Sequence, residues 1–230
     1  MGRRINEMFT KIHKRYDLAN RIYSAGLDAL WRRDAARSAM LSKNSFNVLD
    51  IATGTAELAI EIARTSSAMG KRVSIVGLDV NSSMLKVGRR KVSLAGFRNI
   101  DFICGNAEAM PFTPNSFDVA TSAFLLRNLD DSDKFCSELY RVIKRGGKFA
   151  LLDMSVPEGT IDRVLYEIYF GVLMYPVSFF AGREAYKWLR HSLATFDKER
   201  FISVLKSKGF RNVRTRALSL GVGYVITGTK

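Results

Sequence analysis

The sequence predicts an α/β fold in which helices cover a mostly parallel sheet. Strand-like segments alternate along the 230 residues with segments of helical periodicity, which is typical of successive strand–helix–strand units. Each strand-like segment is also a nearly continuous apolar run, as expected when both faces of a parallel sheet are buried. The five predicted strands are FNVLDI (46–51), RVSIVGLD (72–79), IDFIC (100–104), FDVATS (117–122) and KFALLDM (148–154).

Helices are predicted between these strands and at both ends of the chain. Those between strands cover residues 56–68, 81–95 and 130–144. A helix at 198–208 is followed by the β-like runs NVRTRAL and VGYVITGT, whose short separation by SLG predicts a closing hairpin. Helical patterns also precede the first strand and follow the fifth.

Charge is unevenly distributed along the chain. There are 36 Lys and Arg against 22 Asp and Glu, a net charge of +14, and the excess lies in residues 1–40 and 183–230. Basic ends around a nearly neutral middle suggest attraction to anionic lipid, nucleic acid or an acidic substrate. A solvated basic face without a partner explains the same pattern, and both interpretations stay open.

Several classes of protein are disfavoured. No apolar segment reaches 18 residues without a charge, and the N-terminus lacks an apolar signal region, so we expect a cytoplasmic protein without a membrane span. Cys104 and Cys136 have neither CxxC spacing nor paired histidines. We therefore expect two core thiols, no disulfide framework and no metal site.

The segment VLDIATGTAELAI (48–60) indicates a ligand site. An apolar strand ending near Asp50, a turn of small residues and a helix N-terminus form a site suited to a nucleotide-like ligand. Asp79 ends the second strand, where an acid can accept hydrogen bonds from both ribose hydroxyls, and Asn81 or Ser82 can cap the next helix. The turn lacks the GxGxxG pattern, and Asp50 would repel phosphates. A cationic, phosphate-free ligand such as S-adenosylmethionine fits better than NAD.

With these motifs the sequence resembles the class I methyltransferases, and Asn106, Ala107 and Glu108 in GNAEAMPF match the segment that lines the adenine. A polar turn before a core Phe112 is the alternative for that segment. The resemblance implies a Rossmann-like, seven-stranded, mostly parallel sheet with an antiparallel last strand, helices on both faces and a helical lid. It implies cofactor binding by Asp50, Ala52, Thr53, Gly54, Thr55, Asp79, Val80, Met84, Asn106, Ala107 and Glu108.

The resemblance is closest to the ubiquinone/menaquinone biosynthesis C-methyltransferases. It rests on EMFTKIHKRYDLANRIYSAGLDALWRR, GLDVNSSMLKVGRRK, NAEAMPFTPNSFDVATSAFLLRNLDD, RVIKRGGKFALLDMSVPEG and KGFRNVRTRALSLGVGYVITGTK, which extend over the whole chain. It implies methyl transfer from S-adenosylmethionine to a ring carbon of a prenylated hydroquinone such as demethylmenaquinol. Three departures are Ala56 where glycine is usual, His13 where a small residue is common, and AFLLRN where phenylalanine-glycine usually leads into Arg-Asn.

This resemblance suggests a single domain over residues 1–230. Within it we expect an N-terminal helical cap (1–45), a cofactor-binding core (46–154), a helical lid insertion (155–196), and a C-terminal helix and hairpin (197–230). In the lid, the aromatic-rich residues 164–180 suit either a core-facing helix or the wall of a channel for a prenyl tail.

Arg127 and Asn128 follow the fourth strand and are the first catalytic candidates, since they should lie at the crevice beyond the sheet, near the quinol oxygens. The alternative pairs Arg127 with Asp130 or Asp131 and makes Asn128 a helix cap. Tyr16, one helical turn before Asn20, is the third candidate, although the two could be an ordinary packing pair. Weaker candidates are Asp153, either a base or a solvated strand end, and the two histidines, His13 and His191.

The expected partners are a prenylated quinol and, transiently, an anionic membrane surface; a homodimer is also open. Two rival functions remain. A nucleic-acid methyltransferase would use the basic ends, but it commonly carries Asn/Asp-Pro-Pro-Tyr where this chain has SAFLLRN, so no nucleic acid is favoured. A non-catalytic protein that binds S-adenosylmethionine is the second rival, motivated by Ala56.

Overall fold

The computed structural model describes residues 7, 10, 16–157, 159–174 and 183–230. Seven strands form one sheet in the order β3-β2-β1-β4-β5-β7-β6. Neighbours among β1–β5 are parallel, whereas β7 runs antiparallel to β5 and β6. This confirms the predicted fold class. The strands are β1 (Ser45–Ile51), β2 (Arg72–Asp79), β3 (Ile100–Cys104), β4 (Phe117–Ala123), β5 (Ile143–Met154), β6 (Arg211–Leu218) and β7 (Gly223–Thr229).

Helices flank the sheet and also precede it along the chain. The predicted helices at 56–68, 81–95, 130–144 and 198–208 are confirmed to within two residues. The described helices are α1 (Tyr16–Tyr23), α2 (Asp28–Ala39), α3 (Glu57–Ala68), α4 (Ser82–Leu94), α5 (Ser132–Val142), α6 (Thr160–Ile168), α7 (Arg183–Thr195) and α8 (Lys198–Ser207). No helix among the described residues is long and apolar enough to cross a membrane.

The sheet separates two apolar clusters. Phe46 and Val48 of β1 belong to one cluster, and Leu49 and Ile51 of the same strand belong to the other. This division follows from the two-residue period of a strand, which sends successive side chains to opposite faces. Burial on both faces explains why the strand segments are continuous apolar runs.

Strand order reverses at β1, which lies between β2 on one side and β4 on the other. The chain therefore leaves β1 and β4 toward opposite sides of the sheet. A crevice opens at such a switch point beyond the carboxyl ends of the strands. The loops after Ile51, Asp79 and Ala123 meet there, so this topology positions the site.

Two expectations need correction. Strand β5 begins at Ile143 and not at residue 148, because Ile143 pairs with Phe117 before a register shift and a turn at Gly146, whose φ is +74°. The glycines at 146 and 147 look like a turn in the sequence, so the strand residues before them were not predicted. Cys136 is buried, but Cys104 is exposed because it ends β3, which is one of the two edge strands of the sheet.

Candidate active site

The turn after β1 has an unusual backbone. Ala52, Gly54 and Ala56 all have positive φ values, of 53°, 56° and 66°. Left-handed conformations reorient the chain between strand and helix, but they strain residues that carry a Cβ. The turn also lies tightly against β2, where a Cβ at Gly77 would stand 2.8 Å from Thr53 Cγ2. Only glycine fits that position without displacing the turn.

Ala56 is the departure from the family pattern, and its conformation is not helical. Because its φ is +66°, the backbone of Ala56 is in a left-handed conformation that its Cβ makes unfavourable. Ala56 is nevertheless fully buried, and its Cβ lies 3.3 Å from where a Cβ would stand on Gly88 of α4. The methyl group therefore packs against α4.

Asp50 is buried at the end of β1. Its carboxylate accepts hydrogen bonds from Thr53 Oγ1 (2.7 Å) and Thr121 Oγ1 (2.8 Å). Burial raises the pKa of Asp50 to about 6, although both hydroxyls and the Arg32 guanidinium act in the opposite direction. A buried carboxylate with this pKa favours a cationic neighbour.

Asp79 joins the first turn to the loop after β2. Its Oδ2 accepts the Gly54 N–H and its Oδ1 accepts the Asn81 N–H, both at 2.8 Å. Burial raises its pKa, against the effect of these backbone N–H groups. The Asn81 side chain in turn caps α4 by accepting from Ser83 N and Met84 N, so the predicted cap is confirmed.

The segment after β3 forms a tied turn. Asn106 Oδ1 accepts the Glu108 N–H at 3.0 Å, and Glu108 Oε1 accepts the Asp130 N–H at 2.8 Å. Phe112 packs edge-on against Phe117, with ring centroids 5.0 Å apart. Residues 106–108 therefore line a cavity, and the same segment forms a polar turn before a packed Phe112, so both interpretations of the sequence apply.

Three adjoining cavities form one cleft along the carboxyl ends of the strands. All three include Ala52 in their walls. The cavity beside Asn106 is walled by Val80, Leu125 and Leu129. Every predicted cofactor-binding residue lines at least one of them: Asp50, Ala52, Thr53, Gly54, Thr55, Asp79, Val80, Met84, Asn106, Ala107 and Glu108.

Two of the three predicted catalytic residues line the central cavity, and Arg127 is not among the residues that line it. Tyr16 and Asn128 line it directly, together with Phe124. Burial raises the pKa of Tyr16, although a hydrogen bond with Asn20 and the charges of Arg32 and Arg127 oppose the rise. Tyr16 is therefore a neutral phenol near neutral pH. It both lines the cleft and contacts Asn20, so the two interpretations of this pair are compatible.

Arg127 has partners that the sequence did not suggest. Its Nε donates to Asp153 Oδ1 at 2.9 Å and its Nη1 donates to Ser192 Oγ at 3.2 Å. The expected alternative, pairing with Asp130 or Asp131, is wrong because Arg127 points toward β5 and α7. Asp153 is fully buried, so it is not a solvated strand end.

Asn128 does not cap the following helix, since Asp131 occupies that role. Instead its Nδ2 donates to the Phe124 carbonyl at 3.0 Å, and its Oδ1 accepts from Trp188 Nε1 at 2.8 Å. Phe124 has a φ of +63°, which is rare for an aromatic residue and is typical of strained functional turns. Helix α7 thus holds both residues of the Arg-Asn pair.

Comparison with known proteins decides the family. The model of the ubiE/COQ5 methyltransferase family matches residues 1–230. A ubiquinone/menaquinone biosynthesis C-methyltransferase of Geotalea daltonii is 38% identical over 100% of this chain and 97% of its own length. Its counterpart in Rickettsia prowazekii is 37% identical over 95% of this chain and 89% of its own length. The chain belongs to the ubiE/COQ5 methyltransferase family.

Solved structures agree with this fold. A putative S-adenosyl-L-methionine-dependent methyltransferase of Methanococcus maripaludis superposes with a TM-score of 0.68 at 18% identity, covering 96% of this chain and 93% of its own. As a ubiE/COQ5 family member, the protein is an S-adenosylmethionine-dependent methyltransferase.

The cleft of this methyltransferase fits that cofactor chemically. Asp79 lines the cleft with a carboxylate that can accept further hydrogen bonds, and the buried Asp50 favours a cation over a phosphate. The walls beside Asn106 are largely apolar, as a purine ring requires. Among the described residues there is no group of three or more His, Cys, Asp or Glu that could hold a metal ion.

Contacts between residues distant in sequence hold α1 over the cleft. Asp17 accepts from Thr55 Oγ1 (2.6 Å) and from Lys91 Nζ (2.7 Å), and Lys91 also pairs with Glu57. Asn81 Nδ2 donates to Thr10 Oγ1 at 2.8 Å. These residues are far apart in sequence, so no local pattern indicated the contacts.

No local pattern indicated Arg32 either. It lies on α2, is almost fully buried, pairs with Asp28, and stands over the Phe124 ring at 5.2 Å. Arg32 lines the same cavity as Asp50. The next residue, Arg33, has a side chain that is 56% exposed, so only tertiary packing distinguishes the two arginines.

Of the two histidines, His191 is exposed on α7, and His13 falls outside the described residues.

Proposed function

We propose that this methyltransferase transfers a methyl group from S-adenosylmethionine to a ring carbon of a prenylated hydroquinone, such as demethylmenaquinol, in respiratory quinone biosynthesis. The observation that carries the proposal is the full-length match to C-methyltransferases named for ubiquinone and menaquinone biosynthesis. The central cavity supports it, since aromatic and apolar walls there surround a phenol and an amide, Tyr16 and Asn128.

We assign the cofactor along the cleft as follows. Asp79 binds the ribose hydroxyls, and the segment from Asn106 to Glu108, with Val80, surrounds the adenine. Asp50, Ala52, Thr53, Gly54 and Thr55 surround the amino-acid end, and Met84 closes the central cavity. The assignment is supported by which residues share a cavity: Asp79 and Val80 line one with the Asn106–Glu108 segment, whereas Asp50 lines another with the Thr53–Thr55 turn.

Catalysis then depends on stabilising a phenolate. The cofactor supplies an electrophilic methyl group on a sulfonium, and the ring carbon becomes nucleophilic once the phenol loses its proton. Arg127 directly precedes Asn128, which lines this end of the cleft, and its charge opposes the rise that burial causes in the pKa of Tyr16. Tyr16 and Asn128 are placed to hydrogen-bond the quinol oxygens. Fixed donors of this kind stabilise developing charge without reorganising.

Helix α7 and strand β5 keep these groups in place. Asp153 and Ser192 hold two nitrogens of Arg127, and Trp188 holds the Asn128 amide. Contacts from α1 to Thr55 and Lys91 cover the cleft and help to exclude water. We therefore assign Arg127, Asn128 and Tyr16 as the catalytic residues.

Purified protein incubated with methyl-labelled cofactor and a short-chain demethylmenaquinol tests this function. We expect mass spectrometry to find one label, on a ring carbon. A folded protein that binds the cofactor but labels neither this quinol nor any component of a cellular lipid extract would contradict the proposal. That outcome would favour the non-catalytic rival, and labelling of added RNA would favour the nucleic-acid rival.

We further propose that the protein contacts an anionic membrane surface at α6 and at the π-helical turn that continues it, Tyr169–Leu173. Five apolar side chains at helical spacing are each between 49% and 76% exposed: Ile161, Val164, Leu165, Ile168 and Val172. The opposite face, with Tyr166 and Phe170, is buried. An exposed apolar stripe of this kind marks an interaction site. The net charge of +14 and a prenylated substrate favour a lipid surface as its partner.

A further inference from the structure

We propose that Arg32 binds the α-carboxylate of the cofactor's amino-acid moiety. Arg32 lines the cavity at that end of the cleft, together with Asp50, Thr53, Gly54 and Thr55. It reaches the cavity from α2, in the N-terminal cap, and so lies outside the strand-end motifs that indicated the cofactor. The proposal rests on cofactor binding and not on the identity of the methyl acceptor.

Charge complementarity at this end of the cleft is the first argument. The cavity is lined by one buried acid and one buried base, Asp50 and Arg32, and by the partly exposed Glu57, whose charge Lys91 offsets. Tyr16 lines the same cavity as Asp50 and Arg32, so the guanidinium faces the cleft. An amino acid carries an ammonium and a carboxylate on one carbon. That zwitterion matches an acid and a guanidinium in the same cavity.

The way Arg32 is held is the second argument. Asp28 accepts from Nη1 of Arg32, and Ser24 Oγ donates to the other oxygen of Asp28 at 3.1 Å. The guanidinium carbon stands 5.2 Å from the centroid of the Phe124 ring. These contacts fix the plane of a group that has five N–H donors. A fixed guanidinium is preorganised for a carboxylate, which it can bind through two parallel hydrogen bonds.

Burial is the third argument. Desolvating an ion pair often costs as much as the pair returns, so a buried Arg–Asp pair is weak evidence of a purely stabilising role. Arg33, next in sequence, is exposed and pairs with Glu61 at 3.4 Å. The buried member of this Arg-Arg pair is thus the one that lines the cleft. A ligand carboxylate gives that burial a function.

Two ligands that differ only in the carboxylate test the proposal. Calorimetry would compare S-adenosylmethionine with decarboxylated S-adenosylmethionine, which keeps the sulfonium and the ammonium. Arg32→Gln should weaken binding of the first by roughly 10- to 100-fold, as expected for a lost charge-assisted contact, and should hardly change binding of the second. Arg32→Lys should restore part of the affinity for the first ligand, since it keeps the charge without the planar fork.

Arg33→Gln is the matched control and should bind both ligands as the wild type does. Because Arg32→Gln leaves Asp28 buried without its cation, the double variant Asp28→Asn/Arg32→Gln, checked by a thermal melt, separates folding from binding. It should show the same selective loss for the carboxylate-bearing ligand. Equal weakening of both ligands, or unchanged binding of S-adenosylmethionine, would overturn the proposal and leave Arg32 as a structural partner of Asp28.

Discussion

At the scale of single residues, two acids at opposite ends of neighbouring strands have different environments, and only Asp50 lines the cleft. Asp50 is buried among hydroxyls and its pKa rises to about 6, whereas the pKa of Asp118 is lowered by the Asn47 N–H, Lys43 and Lys144, despite some burial. The same residue type, at the two ends of neighbouring strands, is therefore tuned in opposite directions. The environment of Asp50 suits a cationic ligand, whereas Asp118 is already paired with Lys43 and Lys144.

Asp50 should make stability fall as pH rises. Its folded pKa lies above its unfolded value of about 4, so between pH 4 and pH 6 the folded state binds more protons than the unfolded state. Above pH 6 the buried carboxylate is ionised and destabilises the fold by up to about 3 kcal/mol. Asp50→Asn should therefore be more stable than the wild type at pH 7.5 and should lose this advantage near pH 4, as measured by urea unfolding.

Asp118→Asn is the control, because the pKa of Asp118 is shifted in the opposite direction to that of Asp50. Its folded pKa is depressed, so its contribution is present above pH 4 and disappears as pH falls through the folded pKa. This variant should be less stable than the wild type at pH 7.5. If Asp50→Asn also lost stability at pH 7.5, the carboxylate would be stabilising and our account of its burial would be incorrect.

Arg127→Ala should lower turnover far more than cofactor affinity. We place Arg127 at the acceptor end, where losing one fixed donor to a developing oxyanion commonly costs ~10²–10³ in rate. Arg127→Lys should rescue only part of this, since it loses the planar fork that Asp153 and Ser192 now hold. Single-turnover methyl transfer at saturating cofactor measures the rate, and calorimetry measures the affinity.

Folding must be controlled in this comparison, because Arg127→Ala leaves the buried Asp153 without its cation, a loss of about 3–5 kcal/mol for a buried pair. Asp153 Oδ2 already lacks a hydrogen-bond partner within the described part of the chain. The double variant Arg127→Ala/Asp153→Asn removes both charges and should melt closer to the wild type. If that variant methylates a quinol at the wild-type rate, Arg127 has no catalytic role.

At the scale of elements, the start of α3 combines function with strain. Ala52, Gly54 and Ala56 turn the chain through left-handed conformations, and the helix begins at Glu57, directly after the strained alanine. The turn brings the Gly54 N–H to Asp79 and so sets the width of the cleft. Packing of Ala56 against Gly88 keeps this turn against α4.

Ala56→Gly should cost much less stability than an ordinary substitution of a buried alanine by glycine. Relief of a left-handed alanine gains about 1–2 kcal/mol, which offsets about 0.5–1 kcal/mol for the greater freedom of glycine in the unfolded chain and about 0.8 kcal/mol for the lost buried methyl. We expect the free energy of unfolding in urea to stay near the wild-type value. Ala59→Gly, inside the regular part of α3 and equally buried, is the control and should destabilise by at least about 1 kcal/mol. Equal destabilisation by both substitutions would mean that Ala56 is not strained.

At the scale of the whole molecule, the apolar stripe on α6 and the positive charge should act together at a membrane. Co-sedimentation with anionic vesicles should therefore weaken as salt rises, since exposed charges are screened beyond about 10 Å at 0.1 M ionic strength. Leu165→Glu/Ile168→Glu should weaken binding at every salt concentration, because it places two carboxylates in the stripe.

Leu94→Glu is the matched control, because Leu94 is also exposed but lies on α4. It should bind vesicles as the wild type does. Unchanged vesicle binding by the α6 variant would exclude this stripe as the membrane contact. If the same variant instead dissociated a dimer in analytical ultracentrifugation, the stripe would be the interface of a homodimer.

The sequence by itself determined the parallel sheet, the strand-end positions of Asp50, Asp79 and Asn106, the family and the cofactor. These depend on local patterns, since apolar periodicity and turn chemistry act over a few neighbouring residues. Tertiary structure alone decided that Arg127 pairs with Asp153, that Ala56 is left-handed, that α6 exposes its apolar face, and that Arg32 is buried in the cleft while Arg33 is not. Each of these depends on which distant element packs against the residue, and identical side chains adjacent in sequence carry no signal of that choice.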